Sequence, residues 1–149
     1  IFNSILGEGM ASRLFQQVRE QHGLCYTIYS YVHAYNDTGV FAVYTATEHK
    51  KAAKALKLIN AEIARLGTDA TEHEINRAVK CAKSSLLMSM ESTISRARRL
   101  AYNLIDHGRY RSNDEIIEKL QAVSKKDLAH ICQKILSSKS STAKIINKD

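Results

Sequence analysis

The sequence has no proline, only three cysteines and no long apolar run, and each shortage excludes a class of structure. Without proline, the helices among its 149 residues must be started and stopped by other capping groups. No apolar run approaches the roughly 18 residues that span a bilayer, so we expect no membrane partner. The opening residues carry no basic stretch followed by a cleavage pattern, as a signal peptide would. Because the chain begins with Ile and reads like the middle of a domain, a targeting segment could still lie outside it.

The cysteines are odd in number and far apart, at Cys25, Cys81 and Cys132. They form no C-x-x-C pair and no disulfide framework, and this usage favours a reducing compartment. We therefore expect the bacterial cytoplasm or the mitochondrial matrix, without a further distinction between them.

The positive charge is concentrated in the second half of the chain. The net charge is +7. Residues 1–74 hold seven Lys/Arg and eight Asp/Glu, whereas residues 75–149 hold 15 and seven, which is +8. A basic half with the run "RARR", Arg96 to Arg99, raises the hypothesis of nucleic-acid binding. No recognition motif accompanies the charge, so we favour solvated helix faces and expect no nucleic-acid partner.

The first third of the chain predicts two helices followed by a hairpin. Glycines end each helix, and the residues of the hairpin are rich in Tyr, Val, Ile and Thr, which favour strands. The predicted order is a helix over Phe2–Leu6, a break at Gly7 to Gly9, a helix over 11–21 ended by Gly23, strands over 25–35 and 40–47, and a turn over 36–39.

The rest of the chain is predicted to be helical, apart from one last strand. Capping boxes of the form S/T-x-x-D/E mark three helix starts, at Thr71, Ser112 and Ser124. The predicted segments are helices over 48–66 (closed by Gly67), 71–90, 91–108, 112–122 and 124–136, with a strand over 141–147. In the helix over 48–66 the residues predicted to face inward are Ala52, Leu56, Ile59 and Ile63. In the helix over 91–108 they are Ile94, Ala97, Ala101, Leu104 and Ile105. This order predicts an α+β fold over 1–149, with an antiparallel sheet packed against several helices.

The histidines and cysteines do not form a predicted catalytic or metal site. No two of the six histidines lie three or four residues apart, so no helix face offers paired ligands, and we predict that this chain alone holds no metal. His73 in "TEHEINRA" lacks the second histidine of a metalloprotease helix. His22 lies three residues before Cys25 across a Gly-Leu turn, and we favour a strand role for that thiol over nucleophilic catalysis.

Arg19 and Tyr26 remain as candidates, together with the glycine turns around them. The turn at Gly23 folds the helix that ends near Arg19 against the strand that carries Tyr26. A guanidinium and a phenol that converge in this way suit a polarised carbonyl or an oxyanion. The alternative is an ordinary surface arginine and a strand tyrosine. "GEG", with Gly7 and Gly9, lacks the lysine of a phosphate loop, so we interpret it as a structural turn that brings two backbones close together.

These residues resemble the C-terminal half of the M16 (pitrilysin/insulinase-like) zinc metallopeptidases, in the branch of bacterial and mitochondrial processing peptidases. The resemblance is carried by "NSILGEGMASRLFQQVREQHGLCYTIYSYVHAYNDTGVFAVYTAT", "ESTISRARRLAYNLIDHGR" and "AVSKKDL", from about Asn3 to Leu136. It implies the LuxS/MPP-like metallohydrolase fold. It also implies a partial domain, without its first strand and part of a helix. Departures are Glu8 in a loop that is usually all glycine, and Tyr110 where the family has proline.

The resemblance also implies a function. Family members have two related halves around a chamber, and the zinc motif H-x-x-E-H, which is not present here, lies in the N-terminal half. The C-terminal half contributes an arginine seven positions before a tyrosine, a spacing that Arg19 and Tyr26 match. The implied role of the pair is to bind the substrate carbonyl and stabilise the oxyanion.

The partners implied by the resemblance are a peptide substrate and the N-terminal half or a homologous subunit, in a dimeric parent enzyme. Zinc would be the cofactor of the parent, and this chain alone is expected to be inactive. The alternative is a non-catalytic structural core subunit of a processing-peptidase-like or respiratory complex, since some relatives have lost their active sites.

Overall fold

The computed structural model describes residues 1–35 and 37–146, and it confirms the predicted α+β class. A two-stranded antiparallel sheet lies among helices. In chain order the elements are α1 (Phe2–Leu6), a π-helix (Phe15–Gln21), β1 (Thr27–Ala34), β2 (Gly39–Ala46), a 3₁₀ turn (His49–Lys51), α2 (Ala52–Asp69), α3 (Glu72–Ser89), α4 (Thr93–His107), α5 (Asn113–Gln121) and α6 (Lys125–Ser137).

One apolar core joins α1, the π-helix, the hairpin, α2, the start of α3 and α6. Its largest fully buried aliphatic side chains come from segments far apart in sequence, and they are Ile5, Leu6, Leu14, Val18, Leu66 and Leu128. β1 and β2 pair from Thr27 opposite Ala46 to Ala34 opposite Gly39, as a hairpin should. Ile28 and Ser30 point into the core, while Tyr29 and Tyr44 stack on the other face with ring centroids 5.1 Å apart. The sheet therefore has one buried face and one aromatic, half-exposed face.

Helix starts follow local capping chemistry. Thr71 and Glu74 form the predicted capping box, as do Ser124 and Asp127. Ser112 accepts a hydrogen bond from the backbone N–H of Glu115, but the Glu115 carboxylate binds Arg109 instead of completing the box. The predicted N-termini of these three helices are confirmed because caps depend on residues within one turn.

The prediction that Gly67 ends a helix is wrong. α2 continues through Gly67 to Asp69, and Ala70 lies at its C-cap. A Cβ placed on Gly67 would lie 3.0 Å from Cβ of Cys132 on α6. Gly67 therefore lets α2 and α6 approach closely, a contact that spans 65 positions and leaves no local signal. The inward face of α2 also differs, since Leu56 is exposed and Ala55, Glu62 and Leu66 are buried beside Ile59 and Ile63.

Two further predicted elements differ from the structure. The predicted helix over 11–21 begins only at Arg13, and Phe15–Gln21 is a π-helix. In a π-helix each N–H bonds the carbonyl five residues earlier, a widening that the spacing of apolar residues does not reveal. The strand predicted over 141–147 does not form within residues 141–146, and the Ile145 side chain is fully exposed; residue 147 lies outside the described part of the chain.

The face predicted to point inward on α4 points outward. Ile94, Ala97, Ala101, Leu104 and Ile105 are all exposed. Periodicity located the apolar stripe correctly, but it cannot say which side of a helix meets the rest of the chain.

Candidate functional site

The site lies where the π-helix turns into β1. Gly23 has a φ of +55°, in the left-handed region that glycine enters without strain. Its N–H donates to the carbonyl of Arg19 at 3.0 Å, and the N–H of Leu24 donates to the carbonyl of Val18 at 3.0 Å. These bonds close the π-helix and reverse the chain, so that Arg19 and Tyr26 lie on neighbouring elements.

The Arg19 guanidinium lies against two aromatic rings. Its Cζ is 4.6 Å from the ring centroid of Phe15 and 5.6 Å from that of Tyr26, within the range of cation–π contacts. Its Nε lies 3.6 Å from Oε1 of Glu20, a loose ion pair. Within the described part of the chain, no group accepts a hydrogen bond from this guanidinium. The structure thus brings the two predicted residues together and leaves the arginine's donors free for a ligand.

Tyr26 is 81% exposed and lies directly before β1, so the prediction that the strand begins at residue 25 and carries Tyr26 is wrong. Its backbone N–H donates to the carbonyl of Ala46 at 3.0 Å, although the residue opposite Ala46 in the ladder is Thr27. This bond ties the backbone of Tyr26 to the last residue of β2. The phenol hydroxyl has no partner among residues 1–35 and 37–146, so it too is available to a ligand.

An open cavity of about 510 Å³ adjoins Tyr26. Its walls come from the turn before β1, the end of β2 and the 3₁₀ turn, and are formed by Gly23, Leu24, Cys25, Tyr26, Ala46, Thr47, Glu48 and Lys51. Thr47 Oγ1 donates to the carbonyl of Leu24 at 2.5 Å, and Lys51 pairs with Glu48 at 2.7 Å. The Thr47 bond joins the two sides of the cavity, and the Lys51 pair lies within one side of it, with Tyr26 on the opposite wall.

His22 and Cys25 do not form a catalytic pair in the described residues. Nδ1 of His22 lies 2.7 Å from the carbonyl oxygen of Gln17. Because a carbonyl oxygen can only accept a hydrogen bond, Nδ1 of His22 carries the proton and donates it to Gln17 at the end of the π-helix. Cys25 is half-buried beside the cavity, without a base bonded to it.

The glycine turn before the site brings two backbone segments into contact. The N–H of Ser30 donates to the carbonyl of Gly7 at 3.1 Å, and a Cβ on Gly7 would lie 2.2 Å from Ser30 Oγ. Gly9 has a φ of +79°, and Ser12 bonds its carbonyl through both N–H and hydroxyl. The turn therefore fixes α1 against β1 and directs the chain into the π-helix.

Arg13 is a residue that sequence reasoning missed. Its Nε and Nη2 donate to the two carboxylate oxygens of Glu74 at 2.7 and 2.8 Å, and its Nη1 donates to Asp69 at 2.5 Å. The hydrogen bonds from Arg13 are the main cause that lowers the pKa of Glu74 to about 2. Burial acts in the opposite direction, and hydrogen bonds from Thr71 lower the pKa further. The same partners raise the pKa of Arg13. No local signal could have found it, because its partners lie 61 and 56 positions further along the chain.

The described residues include neither a cluster of metal ligands nor a helix that could span a membrane. In the ranges 1–35 and 37–146, no three His, Cys, Asp or Glu side chains lie close enough to hold a metal ion. His73 is exposed in the first turn of α3. None of the helices described there combines the length and the apolar content needed to cross a bilayer.

Comparisons with known proteins place these features in a family. A profile described as the peptidase M16 inactive domain matches residues 1–80. A relative from Rickettsia felis, named an uncharacterized zinc protease, is 36% identical over 139 residues, which cover 93% of this chain and 34% of the relative.

Solved structures share the fold. A conserved protein from Enterococcus faecalis superposes with a TM-score of 0.79 and 22% identity, over 89% of this chain and 31% of that one. A chain of Complex III2 from Candida albicans gives a TM-score of 0.74 and 20% identity, over 89% and 34%. The chain spans about a third of the length of the curated relatives it matches. Because the profile covers more than half of the 149 residues, the chain belongs to the M16 peptidase family.

Proposed function

We propose that this chain is the substrate-binding C-terminal portion of a zinc-dependent endopeptidase of the M16 type. The observation that carries the proposal is the convergence of Arg19 and Tyr26, with the guanidinium 5.6 Å from the phenol ring. Both residues lie at the turn from the π-helix to β1, and Tyr26 lines an open cavity. A cavity with convergent polar groups is the usual form of a binding site.

The two side chains are suited to stabilise charge that develops on a substrate carbonyl. An arginine remains protonated at any working pH and presents several donors in a fixed plane. A phenol donates one further hydrogen bond. Donors that are positioned before the reaction and directed at an oxyanion account for much of the rate of acyl-transfer enzymes. Phe15 and Tyr26 limit the motion of the guanidinium, so that it need not reorganise during the reaction.

Zinc would belong to another part of the enzyme. The described residues do not provide a metal site, while relatives are named zinc proteases. We therefore propose that a zinc-carrying N-terminal half, or a homologous subunit, faces this chain across a bound peptide in a dimeric parent. The metal would activate the water there, and the part of this chain is to bind and orient the peptide.

Reconstitution tests this proposal. This chain, supplied with zinc alone, should not hydrolyse an unstructured peptide. The chain joined to its zinc-carrying half should hydrolyse it, and chelation should stop the reaction. Zinc-dependent hydrolysis by the chain alone would contradict the proposed division of roles.

A structural role is the second candidate, and two observations favour it. The matching profile is described as an inactive domain, and the fold is shared with a chain of Complex III2 from Candida albicans. In that case the accompanying half would lack an intact H-x-x-E-H motif. The free Arg19 and Tyr26 donors favour the enzyme, because a purely structural subunit has no use for them.

We also propose a reducing compartment for the protein. All three cysteines are free in the structure, and Cys81 is exposed. Exposed thiols persist as thiols where glutathione or thioredoxin keeps them reduced.

A further inference from the structure

Lysines are concentrated at the start of α2, beside the cavity that Tyr26 lines. They are Lys50, Lys51, Lys54 and Lys57, which we call the lysine patch. These four are more than half of the seven Lys and Arg in residues 1–74, a part of the chain with a net charge of −1. Between residues 38 and 61 the one acidic residue is Glu48, so four lysines stand against one glutamate and the segment carries +3. The positive charge of this half of the chain is therefore concentrated in one place.

The lysine patch begins at the cavity and runs along α2. Lys51 lines the cavity, and Lys50 precedes it in the 3₁₀ turn. Lys50, Lys54 and Lys57 are spaced four and three positions apart, so they lie on one side of the helix, and all three are exposed. Because a helix rises about 1.5 Å per residue, the patch extends about 9 Å from Lys51 to Lys57.

The lysine patch acts against the helix that carries it. Lys51 pairs with Glu48 at 2.7 Å, but no ion pair joins Lys50, Lys54 or Lys57 to a carboxylate of residues 1–35 and 37–146. Like charges three or four positions apart repel each other, and lysines in a first turn oppose the helix dipole. The first turn of α2 has no acidic residue to offset them. An exposed lysine is ordinarily just solvated, but this arrangement is better suited to an external anion than to the stability of α2.

We propose that the lysine patch binds acidic residues of the peptide substrate, close to the bond that is cleaved. The proposal rests on the proposed function, since it extends the same binding site and names the chemistry of its substrate. A peptide whose carbonyl contacts Tyr26 enters the cavity and meets Lys51 at the opposite wall. An extended peptide advances about 3.3 Å per residue, so about three residues beyond the cavity cover the length of the patch. Carboxylates at those positions pair with lysines that have no partner in the described chain.

A membrane surface and a nucleic acid fit the lysine patch less well. A helix that binds a bilayer turns its apolar side towards the lipid, whereas the apolar side of α2 is buried in the core through Ile59, Ile63 and Leu66. Nucleic-acid binding depends on contacts to many phosphates, which four lysines on one short stretch of helix do not provide. A peptide is the ligand proposed for the adjoining cavity, so the patch and the cavity serve one substrate.

Equilibrium binding of fluorescent peptides tests the proposal. The protein is the assembled form, this chain with its zinc-carrying half, treated with a chelator so that peptides bind without being cleaved. The unstructured peptides share one central segment and carry a block of Glu, Gln or Lys beside it, in either order along the chain. At low salt, and in one of the two orders, the Glu peptide should bind about tenfold more tightly than the Gln peptide, because several exposed ion pairs each add a little. High salt should remove most of this advantage, because it screens exposed charges.

Charge reversal identifies the lysines that are responsible. Lys54→Glu/Lys57→Glu should abolish the preference for the Glu peptide and favour the Lys peptide instead. Lys80→Glu/Lys126→Glu is the matched control, since both residues are exposed, lie on α3 and α6, and change the net charge by the same amount. This control should keep the preference for the Glu peptide.

Equal affinities for the Glu and Gln peptides in both orders would overturn the proposal. So would an equal loss of preference in the two double variants, or binding of an oligonucleotide or of anionic phospholipid vesicles through Lys54 and Lys57 without discrimination between the peptides. In the zinc-loaded protein the preference should appear in KM rather than in kcat, because the patch binds substrate and transition state alike. Binding is measured without hydrolysis, so an absence of peptidase activity would contradict the proposed function and leave this result intact.

Discussion

Arg13 and Glu74 are joined by two parallel hydrogen bonds, from Nε to Oε1 at 2.7 Å and from Nη2 to Oε2 at 2.8 Å, across 61 residues of sequence. The Arg13 side chain is only 13% exposed, and its third bond goes to Asp69 at the end of α2. The pair ties the start of the helical segment that carries Arg19 to the junction of α2 and α3. The position of the candidate site therefore depends on a contact outside it.

Arg13→Ala should destabilise the protein strongly. Removal of a guanidinium leaves the carboxylate of Glu74 without its main partner, and hydrogen bonds to charged groups contribute roughly 1.5–3 kcal/mol each. We expect a loss of about 3 kcal/mol in the free energy of unfolding, measured by urea denaturation.

Arg109→Ala is the matched control. Arg109 binds Glu115 in the same bidentate geometry, at 2.8 and 2.7 Å, but is 58% exposed. Exposed pairs contribute little, so its urea midpoint should barely move. Equal losses of stability in the two variants would show that burial does not increase the contribution of the Arg13–Glu74 pair.

The Arg13–Glu74 pair should make stability depend on pH in the acid range. Arg13 lowers the pKa of Glu74 from 4.5 to about 2 in the folded protein. The unfolded state therefore binds the proton first, so the contribution is complete above about pH 4.5 and is lost as the pH falls towards 2. In Glu74→Gln, the urea midpoint should fall less steeply over this window than in the unsubstituted protein.

The pH measurement has an internal comparison in Glu115. Its pKa is also lowered to about 2, with Arg109 as the main cause, but the Arg109 side chain is 58% exposed, so solvent screens the pair. Glu115→Gln should therefore keep most of the acid dependence. If Glu115→Gln removes it and Glu74→Gln does not, the assignment to Glu74 is wrong.

The two glycines of the turn should respond differently to alanine. A Cβ on Gly7 would lie 2.7 Å from the backbone nitrogen of Ser30, which cannot move without disturbing β1. We expect Gly7→Ala to destabilise by about 3 kcal/mol or more, as severe overpacking does. Gly9→Ala meets no atom within 4 Å and carries only the strain of its positive φ, about 1–2 kcal/mol.

Thermal unfolding measures both glycine variants, and Ser30→Gly provides a check. This change removes the hydroxyl that a Cβ on Gly7 would meet but leaves the backbone nitrogen in place. The double variant Gly7→Ala/Ser30→Gly should recover only part of the stability that Gly7→Ala alone loses. Full recovery would mean that the side chain, not the backbone, sets the close approach.

Local chemistry explains what the sequence predicted well. The helix starts at Thr71, Ser112 and Ser124 depend on side chains that cap backbone N–H groups one turn away. The hairpin depends on strand-forming residues on both sides of a short turn. Arg19 and Tyr26 were singled out from their spacing around Gly23 and from the family resemblance, and the structure brings their side chains into contact.

Long-range packing explains what the sequence did not predict. Gly67 reads locally as a helix end, yet its role is decided by Cys132 on another helix. The function of Arg13 depends on Glu74 and Asp69, whose positions follow from the packing of α2 and α3. The orientation of α4 is set by the contacts of Arg99, which oppose the usual expectation that an apolar stripe points inward.

Peptide hydrolysis by the assembled, zinc-loaded protein carrying Arg19→Ala or Tyr26→Phe tests the proposed function most directly. Tyr26→Phe keeps the ring beneath the guanidinium and removes only the hydroxyl. Each variant should lower kcat/KM by about 10²-fold or more, mainly through kcat, because an oxyanion donor acts in the transition state. His22→Ala, at an exposed position between them, should leave kcat/KM near that of the unsubstituted protein. Unchanged kcat/KM in both Arg19→Ala and Tyr26→Phe would contradict the role assigned to this pair.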